Sequence, residues 1–313
     1  MRKTMMAVMA LSAMVSCGKS ASPEALAEIS VTAVNCIETR GYVTDESLVD
    51  SGAPRDIRLS AYDATLARPY FVDMAFRNPS GGSWTNHDGD IHMPLYWPQG
   101  SRLSFLAYSA GSSAPKAVWN MSGSTSCVVL DVTAESLQDD ILYAAADGCT
   151  PEASPVSLDF RHSQAWIEFQ VSVPFGKISS FRGVTIGGVR TSGLLTVTDS
   201  NGMAASSWDF SSSMPVDCTL TPDPAAYDGR YSRLSLSVLL PRQQCRPFTF
   251  RFMTDGVERS YTYSFPESEF WYSSVHYVYK VDVAGADAAG LTKSPAGGCG
   301  ISCRVSAEER NWN

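Results

Sequence analysis

The densest set of side chains able to do chemistry is His87-Asp88-Gly89-Asp90-Ile91-His92. Two imidazoles and two carboxylates this close together are a donor set for a divalent cation. Gly89 interrupts the run, however, and Asp-Gly between two short segments is first of all a hairpin signal. The hairpin is the reading adopted, with no metal assigned. His162, within Phe160-Arg161-His162-Ser163, reads as a hydrogen-bonded residue at a domain junction rather than as a catalytic base. A hydrolase needs a nucleophile beside a base, and the chain has no GxSxG elbow, no HExxH and no glycine-rich phosphate loop. Neither an enzyme nor a cofactor is expected. Trp84, Trp97, Trp119 and Trp208 can be arranged as a platform on which sugars stack, although tryptophan in a β-sandwich more often fills the core or a strand end.

The cysteines point elsewhere. Arg2 and Lys3 precede an apolar run from Met5 to Val15, which is too short to span a membrane, where about 20 apolar residues are needed. The run meets Cys17 through Met14-Val15-Ser16, a small residue before a cysteine that resembles a bacterial lipobox; Met14 stands where leucine is usual. Residues 1–16 are therefore expected to be a lipoprotein signal peptide and Cys17 the lipidated first residue, anchored in a membrane; an ordinary signal peptide cut nearby is the alternative. Cys36, Cys127, Cys149, Cys218, Cys245, Cys299 and Cys303 remain, an odd and irregularly spaced set that is no disulfide framework. No CxxC pair is present and no histidine lies near Cys299 and Cys303, so a zinc site is not expected. Cys36, Cys127 and Cys218 read as small strand residues.

Composition sets the frame for these features. At 313 residues the chain is long enough for two ordinary domains. Its formal net charge is -8, without a basic cluster in the mature region, which argues against nucleic acid as a partner. The central stretch Val156–Val173 alternates: Val156, Leu158 and Phe160 share one face, as do Ile167, Phe169, Val171 and Val173, opposite Trp166, Glu168, Gln170 and Ser172. A period of two marks strands with one buried side.

Similar short runs fill the chain. Ile29–Ile37 reads as a first strand, followed by Asp56–Tyr62, Pro69–Phe76, Leu103–Tyr108, Cys127–Val132 and Asp140–Ala144. Pro23–Glu28 reads as a brief helical turn, Thr133–Asp139 is the one convincing helical piece, and Asp147–Pro155 reads as a linker. Beyond it, strands are expected at Val184–Val189, Gly193–Thr198, Val216–Thr221, Leu234–Leu240, Phe248–Met253, Tyr261–Phe265 and Val275–Val283. Turn clusters separate them and no long helices intervene, which argues for antiparallel β-sandwiches. Ala284–Gly300 is rich in Gly, Ala and Pro and leads to a β-like tail, Ile301–Asn313. The expected division is a signal peptide (1–16), an N-terminal sandwich (17–153) and a C-terminal sandwich with a flexible tail strand (154–313).

Taken in order, local patterns across nearly the whole chain resemble the fimbrillin family, the Bacteroidales lipoprotein pilins that build type V pili. The carrying residues are Cys17, Thr39-Arg40, Leu95-Tyr96-Trp97-Pro98, Leu103–Tyr108, Asp140–Ala144, Phe160–Ala165, Leu239-Leu240-Pro241, Trp271–Val283 and Trp312. The sharpest is Phe160-Arg161-His162-Ser163-Gln164-Ala165, where the family shows Phe, any residue, His, then small residues. The resemblance implies two transthyretin-like, Greek-key β-sandwich domains and export through the periplasm to the outer membrane and a surface fimbrium. It also implies a pilus subunit that works in adhesion, with other subunits and a host or bacterial surface ligand as partners. A protease would cut after an arginine beyond the first strand, here Arg40, with Arg55 and Arg58 as nearby competitors. The gap would be filled by a neighbouring subunit's tail, here the strand carrying Ile301, Val305 and Trp312. GGCGISC in the tail has no counterpart in that pattern, and Gly18-Lys19-Ser20 lacks an acidic cluster after the lipidated cysteine. The rival reading is a surface glycan-binding lipoprotein that keeps its anchor.

Overall fold

The computed structural model describes residues 26–34, 56–79, 82–110, 115–122, 125–133, 139–172, 180–222, 233–254, 256–285 and 301–311. Cys17, Cys36, Arg40, Cys299, Trp312 and most of the expected Thr133–Asp139 helix lie outside them.

The described chain is nearly all strand, as the alternating pattern predicts. In order these are β1 (Val31–Val34), β2 (Ile57–Asp63), β3 (Arg68–Arg77), β4 (Thr85–Asp88), β5 (Ile91–His92), β6 (Leu103–Ser109), β7 (Lys116–Ser122) and β8 (Thr125–Val132). Then follow β9 (Leu142–Cys149), β10 (Val156–Asp159), β11 (Arg161–His162), β12 (Gln164–Ser172), β13 (Ser180–Val189), β14 (Gly193–Ser200), β15 (Met203–Asp209) and β16 (Val216–Leu220). The last are β17 (Arg233–Pro241), β18 (Gln243–Gln244), β19 (Phe248–Thr254), β20 (Val257–Tyr263), β21 (Phe270–Trp271), β22 (Val275–Gly285) and β23 (Ile301–Asn311). Among the described residues a 3-10 turn at Pro151–Ala153 interrupts them. β9 thus runs on through Cys149, into the stretch expected to be linker.

Two apolar cores hold the sheets together. The first gathers Ile29, Val31, Ile57, Leu59, Phe76, Trp84, Trp97 and Phe105, and reaches past residue 153 to Val156, Leu158 and Phe160. It lies under the sheet β11-β9-β6-β2-β3-β4-β5 and the pair β1-β10. The second is built on β12, whose Ile167, Phe169 and Val171 point inward while Trp166, Glu168 and Gln170 stay partly exposed. Around Phe169 pack Phe248 at 4.7 Å, edge to face, and Tyr279 at 5.7 Å, stacked. This core serves the sheets β17-β12-β22-β23, β16-β13-β19-β20 and β15-β14-β8-β7.

Not every pairing is antiparallel. β1 runs parallel to β10 and β12 parallel to β22, because the partners arrive from distant parts of the chain rather than through hairpins. Three pairings also cross 153/154: β1 with β10, β9 with β11, and β8 with β14 over eight residues. Any division of the chain at 153/154 has to accommodate them. One close approach dictates a residue: a Cβ on Gly183, at φ +127, would sit 2.3 Å from the Leu220 carbonyl oxygen. Gly183 falls where the β13–β19 register shifts, and only glycine tolerates both conditions.

Candidate functional site

The expected chemistry concerns two strands, one removable and one donatable. The first is the segment Glu28–Val34, set between two partners. On one side Val31–Val34 pairs with Val156–Asp159, and the Val156 amide donates to the Ser30 carbonyl at 2.8 Å. On the other side isolated bridges tie Glu28 to Tyr96 and Val31 to Trp84. The amide of Ile29 donates to the Leu95 carbonyl at 2.7 Å, and Val31 and Trp84 exchange bonds of 3.0 and 2.8 Å. Side chains add to this: Ser154 Oγ donates to the Glu28 carbonyl at 3.0 Å, and His92 Nε2 pairs with Glu28 Oε1 at 2.5 Å. Ile29 and Val31 have no exposed surface. Burying two such aliphatic side chains is worth about 1.5–3 kcal/mol each. The segment therefore closes the first core, and without it Trp84, Trp97, Val156 and Leu158 would lose apolar cover.

The second is β23. It lies antiparallel on β22 over eleven residues, from Val275↔Asn311 to Gly285↔Ile301. It is an edge strand of its sheet, at the end opposite β17. Of the expected donor residues, Ile301 stands opposite Gly285 and Val305 opposite Val281, while Trp312 lies outside the described residues. Val305 packs against the second core. The opposite face is charged: Glu308 accepts from Lys280 Nζ at 2.8 Å and from Arg310 Nε at 2.9 Å. Those two cations, Arg310 foremost, hold the Glu308 carboxyl down at about 2. Such exposed pairs add little stability but favour one register.

The histidines are structural partners. His87 and His92 face each other across the β4–β5 hairpin, ring centroids 5.4 Å apart, with Gly89 at φ 59 in the turn, as Asp-Gly predicts. Arg77 donates to the Gly89 carbonyl at 2.7 Å and pairs with Asp90 at 3.5 Å. Among the described residues no group of three or more His, Cys, Asp or Glu is placed to hold a metal ion. His162 is buried beside Asp140, Nδ1 to Oδ2 2.7 Å. His162 pairs with Leu142 of β9, so it sits where strands on either side of residue 153 meet, and its carbonyl accepts from Ser274 Oγ at 2.9 Å.

The tryptophans take the core and strand-end places favoured by the sequence and form no platform. Trp84 and Trp97 are 1% and 2% exposed and belong to the first core. Trp119 and Trp208 are half-buried against the second, with Trp208 Nε1 donating to the Ser163 carbonyl at 3.0 Å. Among the described residues the exposed rings are instead Tyr70, Tyr96, Phe270 and Tyr272. A sequence signal for the last two exists: in the run Phe270-Trp271-Tyr272 a strand buries one ring and turns its neighbours outward. Cys127 and Cys218 are small strand residues, on β8 and β16, and are free thiols, as are Cys149 and Cys245. Burial pushes the Cys245 thiol up to about 12, which leaves it unreactive.

A family described as fimbrillin-like matches residues 50–301. No curated protein matches the sequence. Among solved structures, a proposed cell adhesion protein of Bacteroides uniformis ATCC 8492 is similar at a TM-score of 0.55 and 14% identity, over 91% of this chain and 99% of that one. A proposed cell adhesion protein of Bacteroides ovatus ATCC 8483 is similar at 0.54 and 15%, over 92% and 99%. At such identity these two likenesses bear on the fold.

Proposed function

The chain belongs to the fimbrillin-like family, and from that premise we propose that it is a structural and adhesive pilus subunit. It is exported as a lipoprotein bearing its lipid on Cys17, reaches the outer membrane, and is trimmed after Arg40. Removal of the first strand opens a groove that the tail strand of another subunit fills, so subunits join through exchanged strands. Its partners are other pilus subunits, its place is the surface fimbrium, and it is not an enzyme.

One observation carries this reading. The segment Glu28–Val34 caps the first core, is bonded on both sides, and ends six residues before Arg40. A cut there separates a buried, sheet-completing strand from the rest of the chain, and the exposed backbone and apolar groups then need a replacement. The tail supports the complementary half: β23 is an amphipathic edge strand joined through the Gly/Ala/Pro-rich residues 286–300.

A second reading has its own support. β23 pairs with β22 of the same chain over eleven residues. A subunit that keeps its tail in this way would end a pilus rather than extend it. The test for trimming is the intact mass and N-terminal sequence of the protein extracted from its native envelope. A chain beginning at Gly41 is expected. A diacylated chain beginning at Cys17 would instead support a glycan-binding lipoprotein that stays anchored.

A further inference from the structure

We infer that the exchanged tail enters its neighbour's groove in one register, with Ile301, Cys303 and Val305 taking the places of Ile29, Val31 and Ala33. The inference rests on the strand-exchange reading above and adds to it the residues that fix the alignment.

The two strands are alike in sequence where one would have to stand in for the other. The first reads Ile29-Ser30-Val31-Thr32-Ala33, and the tail reads Ile301-Ser302-Cys303-Arg304-Val305. Isoleucine and serine recur in the same order, and small or apolar residues follow at every second position. The phase of the tail is also right, since Val305 belongs to the face of β23 that packs on a core. Beyond it the pattern ends in Glu308, Glu309 and Arg310, which are costly to bury. The first half of the tail strand is the half suited to a closed groove.

The backbone of the groove does not choose the register. The first strand is held by bonds from the Ile29 amide to the Leu95 carbonyl, between Val31 and Trp84, and from the Val156 amide to the Ser30 carbonyl. An extended segment slipped by two residues presents the same main-chain groups and remakes the same bonds. These bonds give affinity, and the alignment is left to the side chains.

The side-chain places differ from one another. Ile29 and Val31 are fully buried, Ala33 is partly buried against the same core, and Ala27 is exposed. In the inferred register an isoleucine again fills the Ile29 place. Ser302 replaces Ser30, whose hydroxyl lies 3.2 Å from that of Ser154. Arg304 replaces Thr32, which stands opposite Ser157; the exposed Asp159 is two residues along on the same face, within reach of a guanidinium. A slip of two residues one way puts Ile301 at the exposed Ala27 place, Cys303 at the Ile29 place and Arg304 against Ser154. The opposite slip puts Cys299 at the Ile29 place and carries Val305 past Ala33. Either slip leaves the Ile29 place underfilled by a cysteine, and such a cavity is destabilising.

The test uses the chain that begins at Gly41, with Cys299→Ser and Cys303→Val to remove the tail thiols. Ser154→Cys is combined in turn with Ser302→Cys, Gly300→Cys or Arg304→Cys, with Ser154→Cys alone as the control. Each chain is treated with oxidised glutathione and run on a non-reducing gel. Because the Ser30 and Ser154 hydroxyls touch, the chain with Ser302→Cys should form a covalent ladder and the others should not. In the parent chain beginning at Gly41, Ile301→Ala should weaken multimers on dilution by about tenfold or more, whereas Cys303→Val should not weaken them. A ladder from Gly300→Cys or Arg304→Cys, or multimers that stay non-covalent with Ser302→Cys, would overturn the register and leave strand exchange standing. Absence of multimers from every chain, the parent included, would overturn strand exchange and the register with it.

Discussion

His276 lies flat on Trp166. The ring centroids are 3.6 Å apart, the planes are within 8°, and His276 Nε2 hydrogen-bonds Glu168 Oε2 at 2.9 Å. The parallel pairing of β12 with β22 places the two rings directly opposite each other, and Arg310 of the tail strand is the next residue across. The cluster ties together three neighbouring strands, the last of which is the tail.

The Glu168 carboxyl is held down to about 2, against an ordinary 4.5, by His276 first and then by Gln170 and Ser235. A carboxyl depressed on folding contributes stability that is complete above its unfolded value and is lost as pH falls through the folded one. Acid titration should therefore cost stability between pH 4.5 and about 2. Glu168→Gln should flatten that part of the curve, measured as urea midpoint against pH.

Gly183→Ala meets a backbone oxygen at 2.3 Å and a φ of +127. The substitution should cost on the order of 2 kcal/mol or more, read as a lower urea midpoint with an unchanged slope. Gly89→Ala, in an open turn at φ +59 with nothing within 4 Å of the added Cβ, should cost distinctly less.

Phe169 is fully buried at the centre of the second aromatic cluster. Phe169→Ala should destabilise by about 3–5 kcal/mol. Trp271→Phe keeps most of the volume but leaves the buried Tyr279 hydroxyl without its indole donor, a loss of about 1–3 kcal/mol. Thermal unfolding of the two variants should rank them in that order.

Much of this architecture was legible because its strands bury one face. Ile167, Phe169 and Val171 alternate with Trp166, Glu168 and Gln170, and the inward set is the core. Where the pattern fades, so does the reading. β15 shows only Ala204, Ser206 and Trp208 on its covered side, and it was not expected. β20 is an edge strand whose Val257 is 49% exposed, and it begins four residues before the expected Tyr261. Parallel pairing of β1 with β10 and of β12 with β22 leaves no local mark, since register between distant segments is a tertiary property. For the candidate site, the first strand and the tail strand were both visible from their alternation. Whether Trp84 and Trp97 are buried was not to be had from sequence: an indole at a strand end reads the same whether it faces water or a core.

The central claim is that the first strand can be replaced by a tail strand from another copy, and the most direct test is the assembly state of a chain that begins at Gly41. Size-exclusion chromatography with light scattering, and electrophoresis without heating, should show a ladder of multimers for this chain. Deleting residues 301–313 should abolish the ladder, and the chain beginning at Cys17 should remain monomeric in detergent. A chain beginning at Gly41 that stays monomeric, folds as stably as the untrimmed protein and exposes no new apolar surface to a hydrophobic dye would contradict the account.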